Sequence, residues 1–129
     1  MALWTIRCYL EREDQDVIDV WRGGVSDAVA YKFEGRMRFL QELPANAWVR
    51  PYAASLKGDG AGLVEIRFQC EKVQHRPIGF FSGAREFTFV FVAIEKGWRF
   101  KPRSTIKIAN SRKREVIADR SRAHACEFE

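Results

Sequence analysis

Val64-Glu65-Ile66-Arg67-Phe68-Gln69-Cys70 opens the stretch on which the fold turns; Val73 to Phe81 and Glu86-Phe87-Thr88-Phe89-Val90-Phe91-Val92-Ala93-Ile94-Glu95 follow it. In the first run Val64, Ile66, Phe68 and Cys70 fall on one face and Glu65, Arg67 and Gln69 on the other. That is the period of two of a half-buried strand. The second run reads as a strand from about Val73 to Phe81, ended by Ser82-Gly83. The third, Glu86 to Glu95, is apolar on both faces, with Phe87, Phe89 and Phe91 set against Val90, Val92 and Ile94. A strand of that kind belongs at the centre of a covered sheet. Short connections make the three an antiparallel meander.

Upstream, Leu3 to Leu10 (LWTIRCYL) reads as a first strand. The acidic run Glu11 to Asp16 ends it and suits a helix N-terminus, where negative charge meets the positive end of the helix dipole. Val17, Ile18, Val20 and Trp21 then predict a short helix that stops at Gly23-Gly24. Ser26 is a candidate N-cap for a second helix to about Leu43, with Val29, Phe33, Met37 and Leu40 in one stripe and Pro44 as its end. From Pro44 to Gly62 the chain reads as loop. Downstream of Pro102, Ser104 is a candidate cap for a last helix through about Arg120, with Ile106, Ala109, Val116 and Ile117 apolar. The expected fold is α+β: two N-terminal helices and a C-terminal helix packed on a small antiparallel sheet, in the order β-α-α-β-β-β-α.

A chain of 129 residues with 47% hydrophobic and 13% aromatic residues reads as one folded domain over 1–129, with 119–129 as a tail. The net charge of +5 is unevenly spread. Between residues 96 and 122 ten Lys or Arg face only Glu115 and Asp119, whereas the chain before residue 96 is balanced. A basic block favours a phosphate-rich or acidic partner, or serves only as a solvated, solubilising surface. The three cysteines, Cys8, Cys70 and Cys126, are far apart and odd in number. They read as neither a disulfide framework nor a zinc site, and a reducing cytosol is the expectation. No apolar run approaches a membrane span, no leader segment is apparent, and no metal-ligand spacing or nucleotide loop occurs.

Within the strands, Lys57, Arg67, Arg76 and Lys96 stand at or inside otherwise apolar runs, where an isolated ion is costly to desolvate. Set in the order above, several short motifs resemble the RelE/HigB-type toxins of type II toxin–antitoxin systems, and more narrowly the phage-derived HigB-like branch. They are the early Trp4-Thr5-Ile6, the helical pair, Ser55-Leu56-Lys57-Gly58 with Leu63 to Arg67, Arg76 before Ile78-Gly79-Phe80-Phe81, Glu95-Lys96, and the basic helix with Ile108-Ala109 and Arg112. The likeness runs from about residue 3 to 118. The chain departs from it where Gly97 replaces the second of a usual lysine pair, where His75 precedes Arg76 in place of an aromatic residue, and where no Tyr follows Tyr52.

The resemblance implies a metal-independent, cofactor-free endoribonuclease of the cytoplasm. It cleaves translated mRNA on the ribosome and is held inactive by a cognate antitoxin, with which it forms hetero-oligomers. On that reading Arg67, Arg76 and Lys96 are catalytic: the arginines bind the scissile phosphate and Lys96 supports charge or proton transfer. Lys57, Arg99 and Lys101 bind RNA. The plain alternatives stay open. Arg67 can be an ordinary cross-strand partner of Glu65 or Glu86, and Lys57 can simply sit in a turn. Trp98 and Phe100 can stack an unpaired base or merely anchor the closing helix. His75 is either a general base or a structural residue, and His124 has no assigned role. As a whole the chain is either an RNA-cleaving toxin or a non-catalytic nucleic-acid-binding or interaction module, an inactive phage relic.

Overall fold

The computed structural model describes residues 4–127. Its order corrects the expected β-α-α-β-β-β-α arrangement on a small antiparallel sheet, because nine strands form one mixed sheet. Strands β1 (Thr5–Arg12) and β2 (Gln15–Asp16) lead into helices α1 (Val17–Arg22) and α2 (Asp27–Leu40). Short strands β3 (Ala53–Ser55), β4 (Val64–Ile66) and β5 (Phe68–Cys70) follow, then the long β6 (Val73–Gly83) and β7 (Glu86–Lys96). The chain continues through β8 (Arg99–Lys101), α3 (Thr105–Ala118) and β9 (Ala123–Ala125). The sheet runs β2-β1-β7-β6-β4-β3, with β5 on β6, β8 on β7 and β9 on β1.

The meander β4-β6-β7 is antiparallel. The first strand, however, joins β7 in parallel, from Thr5 opposite Glu86 to Cys8 opposite Phe89. A parallel pair needs a long crossover, and everything from β2 to β6 serves as that connection. Between β6 and β7 the register slips: Ile78 faces Phe91 and Gly79 faces Phe89, which leaves Val90 as the extra residue of a bulge. The bulge inverts the parity of β7. Phe87 and Phe89 turn to α2, where Phe89 meets Phe33 edge-on at 5.6 Å between ring centroids. Phe91 turns instead to α3, beneath the guanidinium of Arg112. The even alternation expected for this strand therefore holds only on either side of Val90.

Both N-terminal helices have physical starts. Asp16 caps α1 by accepting from the Ile18 and Asp19 amides at 2.9 and 2.8 Å, and Ser26 caps α2 through Val29 N–H. The stripe Val29, Phe33, Met37 and Leu40 is buried against the sheet. Ser104 makes no side-chain cap to α3; Thr105 Oγ1 donates instead to Pro102 O at 2.6 Å. Of the apolar side expected for α3, Ala109 and Val116 are buried and Ile117 is exposed.

Between residues 119 and 127 the chain is not a loose tail; residues 128 and 129 of the expected tail lie outside the described residues. A 3-10 turn at Arg120–Arg122 feeds β9, which pairs with β1, and His124 Nε2 lies 2.7 Å from Asp16 Oδ2. Cys126 forms a disulfide with the fully buried Cys8, their Cα atoms 5.3 Å apart across 118 residues of sequence. This corrects the reading of the cysteines as unpaired, and with it the cysteine argument for a reducing compartment; Cys70 is the free thiol. Among the described residues no helix is long and apolar enough to cross a membrane.

Candidate nucleic-acid interface

The α3-facing side of the sheet extends past α3 itself, and there the strands carry charge. Strand alternation puts Glu65 and Arg67 on this side, with Gln74 and Arg76 of β6 and Glu95 of β7. Gln74 is opposite Glu95 in register, and Arg76 is opposite Ala93. The cations that read from sequence as unpartnered are thus paired. Arg67 Nη1 bonds Glu65 Oε2 and lies 3.8 Å from Glu95 Oε1. Arg76 Nε donates to Glu95 Oε1 at 2.9 Å and lies 3.9 Å from Glu65 Oε1. Glu65 is the intrachain partner that sequence offered for Arg67; Glu86 binds Arg120 instead, at 3.0 Å.

The two arginines differ in what they leave available. Arg76 is buried, its side chain 2% exposed, and its remaining nitrogens donate to His75 O at 2.8 Å and Gln74 Oε1 at 3.2 Å. Burial, together with the Arg67 cation, pulls its pKa below the ordinary guanidinium value, and Glu95 and Glu65 work against that pull. Each of its three nitrogens makes a bond within the fold, and the one from Nε fixes Glu95. Arg67 is 19% exposed and lines each of three adjoining clefts.

The largest of these clefts holds about 340 Å³, and four arginines line it: Arg36, Arg50, Arg67 and Arg76, with Gln69 and Gln74 but no carboxylate. Arg36 reaches it from α2. It donates to Arg67 O and lies 5.1 Å above the Tyr52 ring, and burial lowers its pKa from the usual value. Arg50 is exposed. Beside this cleft are two more, of about 270 and 300 Å³, where Arg67 and Glu95 meet Trp98. Sequence reading missed Arg36, Arg50 and Glu95 as parts of the site. The signal available was a second carboxylate, Glu95, inside an apolar strand at the same two-residue period as Arg76 on its neighbour.

The other residues expected at the site stand apart. Lys57 is exposed at the N-cap of a 3-10 turn over Gly58–Gly60, and it lines none of the three clefts. Lys96 follows Glu95, so the pleat sends its side chain to the opposite face. Arg99 pairs with Lys96 and Lys101 with Ile94, which puts both on that far face, whereas Phe100, opposite Glu95, lines a cleft. Lys96, Arg99 and Lys101 form an exposed cationic strip behind the hairpin and cannot share a phosphate with Arg67. His75 is buried and stacked on Phe68 at 5.0 Å, and burial lowers its pKa below the usual 6.5. That is the structural role, not the base.

Much of the charge on the C-terminal helix is engaged within the fold. Arg112 donates to Val90 O and Glu11, both at 3.0 Å, and lies over the Tyr9 ring; Arg122 lies 3.4 Å from Glu115. Lys107 and Arg114 are exposed. Among the described residues no three His, Cys, Asp or Glu side chains converge as metal ligands would. The arrangement can hold an anion between arginines and set a fixed carboxylate next to it. No family model matches the chain, and no curated protein or solved structure is significantly similar to it.

Proposed function

We propose that the protein binds single-stranded RNA across the arginine-lined cleft and cleaves it without a metal. The observation that carries this reading is the cleft itself: Arg36, Arg50 and Arg67 converge on an open depression with no carboxylate in its lining, while Glu95 stands at its edge. Planar guanidinium forks bind phosphate oxygens bidentately and stay charged. Glu95, held by Arg76, accepts the proton of a ribose 2′-hydroxyl. The freed oxygen attacks the adjacent phosphorus in line, and Arg67 stabilises the charge that develops on the phosphorane. Water, which reaches this open cleft, protonates the leaving 5′-oxygen, and a 2′,3′-cyclic phosphate remains. Lys96, Arg99 and Lys101 attract the flanking strand through its phosphates, in a salt-dependent way.

The wider role, a toxin acting on translated message and neutralised by an antitoxin, is supported by the resemblance in sequence at Leu63 to Arg67, Arg76 to Phe81 and Glu95-Lys96. A second reading, a nucleic-acid-binding module without catalysis, is favoured by the ion pair between Arg67 and Glu65, which competes with phosphate for that guanidinium. Incubation of end-labelled RNA with the protein in EDTA separates the two. Fragments ending in 2′,3′-cyclic phosphate support the enzyme, and retention of intact RNA supports the module. Induced expression that leaves growth and message intact would oppose the toxin role.

A further inference from the structure

Trp98 occupies the second position of a two-residue turn between β7 and β8, with Lys96 opposite Arg99 and positive φ at both Gly97 (60°) and Trp98 (66°). Such turns favour a small or polar residue with ready access to the left-handed region, because a Cβ there is crowded. Gly97 meets that need and Trp98 does not. The residue is also 94% exposed, so the large apolar surface that ordinarily stabilises a protein through burial contributes almost nothing to the fold. It therefore does not anchor α3 on the sheet. Both the backbone and the solvation of this residue are unfavourable in the free protein, and such strain is a mark of a binding site.

Its location says what it binds. Trp98 lines two of the three clefts, with Arg67 and Glu95 in both, and shares one with Arg50, Leu56 and Phe100. Glu65 and Glu95 share these clefts with the arginines, and an indole beside Arg50 and Arg67 matches a nucleotide, whose charged and flat halves lie side by side. We propose that Trp98 is the stacking platform for an unpaired nucleobase next to the phosphate held by Arg50 and Arg67, an assignment that rests on the RNA-binding reading above. A paired base, closed in a duplex, offers no free face to it, so the site selects single strands.

The test measures binding of a fluorescein-labelled single-stranded RNA 12-mer by anisotropy, against the same length of duplex RNA and a 12-mer of abasic residues. For the native chain the expected order is single strand tightest, with abasic and duplex forms weaker by about tenfold, the scale of one lost base–aromatic stack. Trp98→Ala should lose about tenfold for the single strand and nothing for the abasic strand. Trp98→Tyr should recover most of the loss, which a merely structural role would not produce. Equal affinity of Trp98→Ala and native protein for the single strand overturns this inference and leaves the cleft reading standing. Failure of the native protein to bind either the RNA or the abasic strand overturns the cleft reading itself. A Trp98→Ala loss that is equal on single-stranded and abasic RNA also overturns the inference, because it shows a fold or charge effect.

Discussion

Arg76 donates to Glu95, His75 O and Gln74 from a buried position, while Arg67 one strand away leaves part of its fork open to solvent. Two residues that look alike in sequence therefore do different work. Removal of Arg76 strips the buried Glu65 and the half-buried Glu95 of a partner, and losing one side of a buried pair costs about 3–5 kcal/mol. Arg76→Ala should show that loss in urea denaturation as well as a loss of activity. Glu95→Gln keeps the shape of the side chain but leaves the buried Arg76 with Glu65 alone as counter-ion, so it should lower cleavage and also cost part of that stability. Arg67 was open to either reading from sequence; in the structure it bonds Glu65 and also lines the clefts.

His75 gives a pH dependence at the same scale. Burial, aided by the Arg76 cation, lowers its pKa below 6.5 in the folded protein. Below that pH the unfolded chain takes up a proton that the folded chain refuses, so stability falls as pH falls. His75→Phe removes the group. The variant should lose less stability than the native protein between about pH 7 and pH 5.5, read from urea midpoints; equal losses would show that His75 does not carry the effect.

At the scale of elements, β1, α1, α2, β6, β7 and α3 were legible. Four apolar residues at helical spacing, Val29, Phe33, Met37 and Leu40, are all buried, because a stripe of that width has one face to bury. Pairing partners were not legible. The strands β2, β3, β8 and β9 have two or three residues each, too few to display a period. The bulge at Val90 was hidden as well, because both faces of β7 are apolar and parity leaves no trace in such a run. Next to the bulge, a Cβ at Gly79 would collide with Thr88 O and the Phe87 ring. Neither the backbone carbonyl nor the packed ring can retreat, so Gly79→Ala should cost about 1–3 kcal/mol in chemical denaturation, the range for overpacked cores. A neutral effect would show that the bulge relaxes.

At the scale of the molecule, the sheet draws distant segments together: β1 and β9 come from opposite ends of the chain and are joined through Cys8 and Cys126. Three widely spaced cysteines could not announce that pair, since spacing carries no information on a contact between the first strand and one near the other end of the chain. Closing a loop of this length restricts the unfolded chain strongly, and disulfides typically contribute about 2–4 kcal/mol. Cys126→Ser should therefore lower the denaturation midpoint, and dithiothreitol should have less effect on the variant than on the native chain.

The candidate site is also a property of the whole molecule, since α2, the loop at Arg50, β4 to β7 and the β7–β8 turn each bring one part of it. Single residues such as Arg67 and Arg76 were legible, but the convergence of Arg36 and Arg50 on them depends on tertiary placement that no local pattern encodes. The most direct test of the central claim is the rate of cleavage of end-labelled single-stranded RNA in EDTA by the native protein, Glu95→Gln and Arg67→Lys. The account predicts cyclic-phosphate fragments from the native protein and a loss of about a hundredfold or more in each variant, the scale of a missing general base or charge stabiliser. Cleavage by Glu95→Gln at the native rate, or no cleavage by the native protein, would contradict it.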